Sequence, residues 1–183
     1  MTIAAEFHKL NPAAVVTRYV IDLTSLGGTV LRYHNDVNEL GADVVWQGQT
    51  FGKLPLEAPG FDVTGNGQLP RPMLKVSNVT GAVSALCFQF RDLVGASVTR
   101  KRTFLKYLDA VNFTGGVNAT ADPNAHFADE TFAVNRKALE NKEVVEFELV
   151  LPSDVEGVRI PRRQFMQNLC TWQYRSSECG YSG

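Results

Sequence analysis

Cys170 and Cys179 stand nine positions apart near the end of the sequence, among Trp172, Tyr174, Tyr181, Gly180 and Gly183. Thiolate sulfur is a soft, charged donor suited to zinc or iron, and the residues between can fold back to bring both sulfurs to one ion. A structural zinc or an iron–sulfur cluster takes four protein ligands, yet the sequence holds 3 cysteines in all, the third being Cys87 far upstream. The pair therefore reads as a disulfide, as two idle thiols, or as half of a metal site completed beyond Gly183 or by a partner.

The other candidates for chemistry are plainer. His8, His34 and His126 fall in arm or loop contexts and read as surface histidines. Asp22, Asp92, Asp109 and Glu146 show no pairing and read as solvated faces. No Gly-x-Ser-x-Gly elbow, His-Glu-x-x-His helix, Walker loop or dinucleotide glycine fingerprint occurs, which makes enzyme the weaker class. Arg100-Lys101-Arg102 and Arg162-Arg163 are the two basic clusters. The formal charge of -1 supplies no global field for a nucleic acid, so these residues read as solvated or protein-facing. A small metal-containing binding module touching nucleic acid through them is the alternative function. No apolar run approaches the roughly 20 residues of a membrane helix, and the stretch after Met1 has no signal-peptide core, which points to synthesis inside the cell.

The elements that must position these residues are mostly strands. At 183 residues the chain is long enough for one substantial core. An arm over 1–14 precedes a hairpin of strands over 15–23 and 29–34, with Arg18 and Asp22 on its wetter side. A short strand over 44–47 follows, then a stretch over 51–67 crowded with proline and glycine, which predicts no long element but leaves room for chain lying extended beside a sheet. Alternation predicts strands over 73–78, 98–108, 131–137 and 143–151. Spacing of three and four in Val79, Val83, Leu86, Phe90 and Leu93 predicts one helix over 80–94, with Cys87 on its buried stripe and Gly95 ending it. Pro161 opens a short helix through Leu169. The expected fold is mainly β: an antiparallel barrel or sandwich with one well-defined helix and a short C-terminal helix. Charge on both sides of the strand over 98–108 marks it as an exposed edge available to a neighbour.

Specific blocks then resemble a known family, the minor tail protein L of lambda-like siphophages. They include Trp46-Gln47-Gly48, Arg71-Pro72-Met73-Leu74-Lys75-Val76-Ser77-Asn78, Asp92-Leu93-Val94-Gly95, Lys106-Tyr107-Leu108-Asp109-Ala110-Val111-Asn112-Phe113, Asn168-Leu169-Cys170-Thr171-Trp172 and Glu178-Cys179-Gly180-Tyr181-Ser182-Gly183. The resemblance implies a structural virion protein of the tail tip, made and assembled in the host cytoplasm. It would form a ring-like adaptor, a homotrimer, between the tail tube-side protein and the central host-specificity protein. It further implies a β-rich hub over 1–161 and, over 162–183, the start of a cysteine-containing region that continues in a longer protein. There Cys170 and Cys179 match the first two of four ligands to a [4Fe-4S] cluster; the later pair has no counterpart in this sequence.

Overall fold

Alternation along β1 (Val15–Asp22) decides the layout. Tyr19 and Ile21 enter one apolar cluster while Val16 and Val20 enter another, so both faces of this strand are covered. The computed structural model describes residues 3–36, 38, 40–61, 70–154, 170 and 172–181. Besides β1 its strands are β2 (Val30–His34), β3 (Val44–Trp46), β4 (Gln49–Lys53), β5 (Leu56–Glu57), β6 (Met73–Ser77), β7 (Ser97–Phe104), β8 (Glu130–Glu140) and β9 (Val144–Val150). They hydrogen-bond in the order β3-β4-β2-β1-β7-β8-β9-β6-β5.

This arrangement corrects the expected antiparallel barrel or sandwich. The sheet is mixed, because β2 and β4 run parallel with Tyr33 opposite Gly52, and it is not closed into a barrel. Its two outer strands cannot close it. β5 is two residues long between Pro55 and Pro59, and proline offers no N–H to a ladder. At the other rim the backbone of β3 is already occupied by side chains: Val45 N–H donates to Asn112 Oδ1 at 2.8 Å, and Asn112 Nδ2 donates to the Val45 carbonyl at 2.6 Å. β7 lies inside the sheet between β1 and β8, so the edge expected over 98–108 is not an edge.

The helix is also shorter than expected. α1 (Ile3–Phe7) is a single turn in the amino-terminal arm, and α2 (Ala82–Gln89) stops at Phe90. Beyond it Arg91, Asp92 and Leu93 form a tight turn with φ of 52°, 58° and 58°, a left-handed backbone that side chains disfavour. Two contacts hold it: Leu93 is buried in the main core, and Asp92 accepts a 2.5 Å hydrogen bond from Lys137 of β8. Gly95, at φ 85°, then donates its N–H to Val134 and starts the path into β7. The short helix expected over 161–169 lies outside the described residues.

The main core fills the face of the sheet that α2 covers, with Leu23, Leu74, Val98, Phe132, Phe147 and Leu149 at its centre. On the other face of β1, Val16, Val44, Trp46, Phe51 and Leu108 make a second cluster, and Phe104, Tyr107 and Ala125 a third, against which the arm packs through Ile3 and Ala13. The chain divides into two compact units, Met1–Pro152, which holds the sheet, and Ser153–Gly183.

Candidate functional site

In the second unit the described residues form a turn around the thiol pair. Ser176 N–H donates to the Gln173 carbonyl and Cys179 N–H to the Ser176 carbonyl, at 3.0 and 3.1 Å. Arg175 and Gly180 both take φ of 63°, which folds the segment back until the Tyr174 and Tyr181 rings lie 5.6 Å apart. Cys170 is exposed, Cys179 is half-buried, and both are free thiols, so they form no disulfide. The thiol donors suit iron or zinc in kind, but the set is incomplete. Among the described residues no group of three or more His, Cys, Asp and Glu side chains gathers at one point. Cys87 belongs to the other unit and sits on the inner side of α2, 2% exposed, where burial pushes its thiol up to about 11. It is the small core residue that the stripe predicted. Cys170 and Cys179 are thus two donors where a cluster needs four.

The basic stripe is paired within the subunit, three cations sharing two carboxylates. Arg100 Nε donates to Glu130 Oε2 at 2.5 Å, Arg102 Nη2 to Glu130 Oε1 at 3.1 Å, and Lys101 Nζ to Asp129 Oδ2 at 2.7 Å. The two arginines also lie over Phe61 and Phe127, at 3.7 and 5.0 Å from the ring centroids. Cations held in ion pairs and against aromatic faces have little left to offer a phosphate backbone. Arg162 and Arg163 lie outside the described residues.

The remaining candidates are parts of the framework. Asp109 accepts from Gln47 and Gly48 N–H at 3.1 and 2.9 Å, fixing the β3–β4 turn. Asp22 caps Thr24 through its N–H and hydroxyl, Glu146 pairs with Lys75, and Asp92 holds Lys137. His8 and His126 are exposed, as expected, His126 lying edge-on to Trp46 at 5.5 Å. His34 departs from the expected surface position: it is fully buried, accepts from Val44 N–H at 3.3 Å, and burial lowers its pKa. Arg18 departs likewise, since the side of β1 expected to be wet is covered by Trp46 and Phe51.

One feature that periodicity missed is the outer side of α2. Its inner side buries Val83 and Cys87, whereas Ala82, Ala85 and Phe88 face outward, with Phe88 94% exposed. Just before the helix Val79, expected on the inner stripe, is 78% exposed. Large apolar side chains left exposed together mark a surface that other chains cover. The signal was in the sequence: Ala82, Ala85 and Phe88 recur at a spacing of three, beside the polar Ser84 and Gln89.

The described residues thus hold no complete metal site, while the outer side of α2 exposes apolar residues of the kind other chains cover. The comparisons with known proteins agree. The family model for phage minor tail protein L matches residues 24–183. Tail tip protein L of Escherichia phage lambda is 36% identical over 178 residues, which cover 97% of this chain and 76% of that protein. The chain belongs to the phage minor tail protein L family. It is accordingly a structural protein of the phage tail tip, a virion component that contacts other tail proteins, and not an enzyme. Among the described residues no helix is long and apolar enough to cross a membrane.

Proposed function

We propose that the chain is a ring-forming adaptor of the tail tip, a homotrimer seated between the tail tube-side protein and the central host-specificity protein and assembled in the host cytoplasm. Residues 1–161 serve as the hub, and residues 162–183 open the cysteine-containing region. In that region Cys170 and Cys179 act as iron–sulfur ligands alongside donors outside this sequence. Nucleic acid has no role in this reading, because Arg100, Lys101 and Arg102 are paired with Glu130 and Asp129.

The observation that carries the ring reading is the outer side of α2. Ala82, Ala85 and Phe88 would cost little to desolvate, and a buried phenylalanine contributes about 1.5–3 kcal/mol, so a subunit contact there gains from residues that water disfavours. The test is the subunit number of the purified protein by sedimentation equilibrium, and incorporation of variants into tail tips. Phe88→Asp is expected to give monomers and tips lacking the protein. Arg100→Ala with Arg102→Ala, inside the sheet, is expected to lower the melting temperature yet leave the subunit number unchanged. A Phe88→Asp protein that still forms the same oligomer and enters tips would overturn the assignment.

A further inference from the structure

Arg18 is the residue in the first unit whose chemistry the structural role leaves unexplained. It lies in the middle of β1, flanked across the ladders by His34 of β2 and Lys101 of β7, and its exposure is 0%. Its guanidinium stacks on the Trp46 ring at 3.8 Å and stands 5.4 Å from the Phe51 ring. Nε, Nη1 and Nη2 have no hydrogen-bond acceptor among the described residues, and neither does the indole Nε1 of Trp46. Stacking stabilises the flat face of a guanidinium. It does nothing for the N–H groups along its rim, and an unpaired buried charge is among the costliest groups a fold can hold.

The nearby carboxylates do not fill the role. Asp36, Asp109 and Asp129 act on Arg18 only through space. Asp36 accepts from Thr17 N–H at 2.6 Å, Asp109 from the Gln47 and Gly48 amides, and Asp129 from Lys101. Burial lowers Arg18 to about 10, which leaves it cationic at neutral pH. The surroundings therefore combine a full positive charge with a second buried, unpartnered donor, Trp46 Nε1, and apolar walls from Val16, Val44, Phe51 and Leu108. These wall side chains offer no hydrogen-bonding group, and His34, opposite Arg18 on β2, adds only a donor, because its Nε2 accepts from Val44 N–H and leaves Nδ1 as the N–H. A ligand there must accept from every side and donate nothing, and it must be small enough to be enclosed with Trp46, Phe51 and Leu108 almost fully buried.

We propose that Arg18 and the Trp46 indole N–H form a buried site for one monatomic anion, of the halide class, enclosed as the β3–β4 hairpin closes over β1. Charge-assisted hydrogen bonds from the guanidinium rim and the indole hold it. Because the folded chain binds it and the unfolded chain does not, the ion stabilises the fold by mass action.

The experiment uses the full chain and bromide as the probe. Crystals grown in sodium bromide are measured at the bromine absorption edge, and melting is recorded at constant ionic strength as chloride replaces gluconate, an anion too large to enter. An anomalous peak within hydrogen-bond reach of Arg18 and Trp46 Nε1, with melting raised by about 3 °C or more in chloride and in bromide, is the expected result. Arg18→Met, which keeps an unbranched stem over Trp46, is expected to melt identically in both salts. No bromide at Arg18, together with wild-type melting that ignores the anion, would overturn the proposal, and both readings need only the wild-type protein.

Discussion

At the scale of the residue, burial decides which side chains were legible. Cys87 was readable because its apolar stripe states its surroundings, whereas Arg18 was not. Whether the second face of β1 is wet or covered depends on the β3–β4 hairpin, a long-range contact that alternation within one strand cannot register. Glu6 makes the same point from the arm. It is almost fully buried, accepts from Lys106, pairs with Lys9 at 2.8 Å and accepts from Ala13 N–H at 3.3 Å. The hydrogen bond from Lys106 leads in lowering its pKa from 4.5 to about 2. A carboxylate depressed on folding contributes stability that is present above its ordinary pKa and is lost as the pH falls toward the folded value. Docking of α1 should therefore weaken between about pH 4.5 and 2. Hydrogen exchange at residues 3–7 across that range measures it. Glu6→Gln should show lower protection than the wild type at neutral pH and no further loss of protection through the window; an unchanged protection profile would remove Glu6 from the latch.

At the scale of the element, strands with alternating apolar and polar residues were legible, and strands set among turn residues were less so. Alternation located β1, β2, β6, β8 and β9 within a few residues. β4 and β5 were legible only as chain extended beside a sheet, without bounds, because Pro55, Pro59 and Gly60 read as punctuation. The helix over 80–94 was overextended for a related reason: Leu93 continues the helical spacing but reaches the core through a left-handed turn. The guarding of β3 could not be foreseen either, since Asn112 stands 67 positions from Val45. That guard is testable. Asn112 is buried and satisfies both polar backbone groups of Val45 while also donating to the Asp109 carbonyl at 2.8 Å. Removing it strands those groups at a sheet edge, at a cost of about 2 kcal/mol, and offers the edge for pairing. Asn112→Ala should melt about 4–8 °C lower and show concentration-dependent association by light scattering. A variant that melts and scatters like the wild type would mean that β3 needs no guard.

At the scale of the whole molecule, the thiols and the sheet belong to different compact units, Ser153–Gly183 and Met1–Pro152, and this separation yields a prediction that either unit could refute. Residue type marked Cys170 and Cys179 as possible donors but left a disulfide, idle thiols and half a metal site open; the structure shows both as free thiols, which removes the disulfide. If the two thiols ligate iron in the tail tip, replacing both should remove a cofactor without touching the core that holds β1 to β9. Cys170→Ser with Cys179→Ser, introduced into the protein as the phage makes it, is expected to reduce iron and acid-labile sulfide per chain to background. The main melting transition should stay within about 1 °C of the wild type, since substitutions that leave a core's contacts intact change stability little. Cys87→Ala is the opposite case. It should leave iron unchanged and lower the melting temperature by a few degrees, because it leaves a cavity between α2 and the sheet. Iron retained by the double variant would show that the thiols are not ligands. Iron lost together with the main transition would show that the two units are one cooperative structure, and that the cysteine region supports the hub it follows.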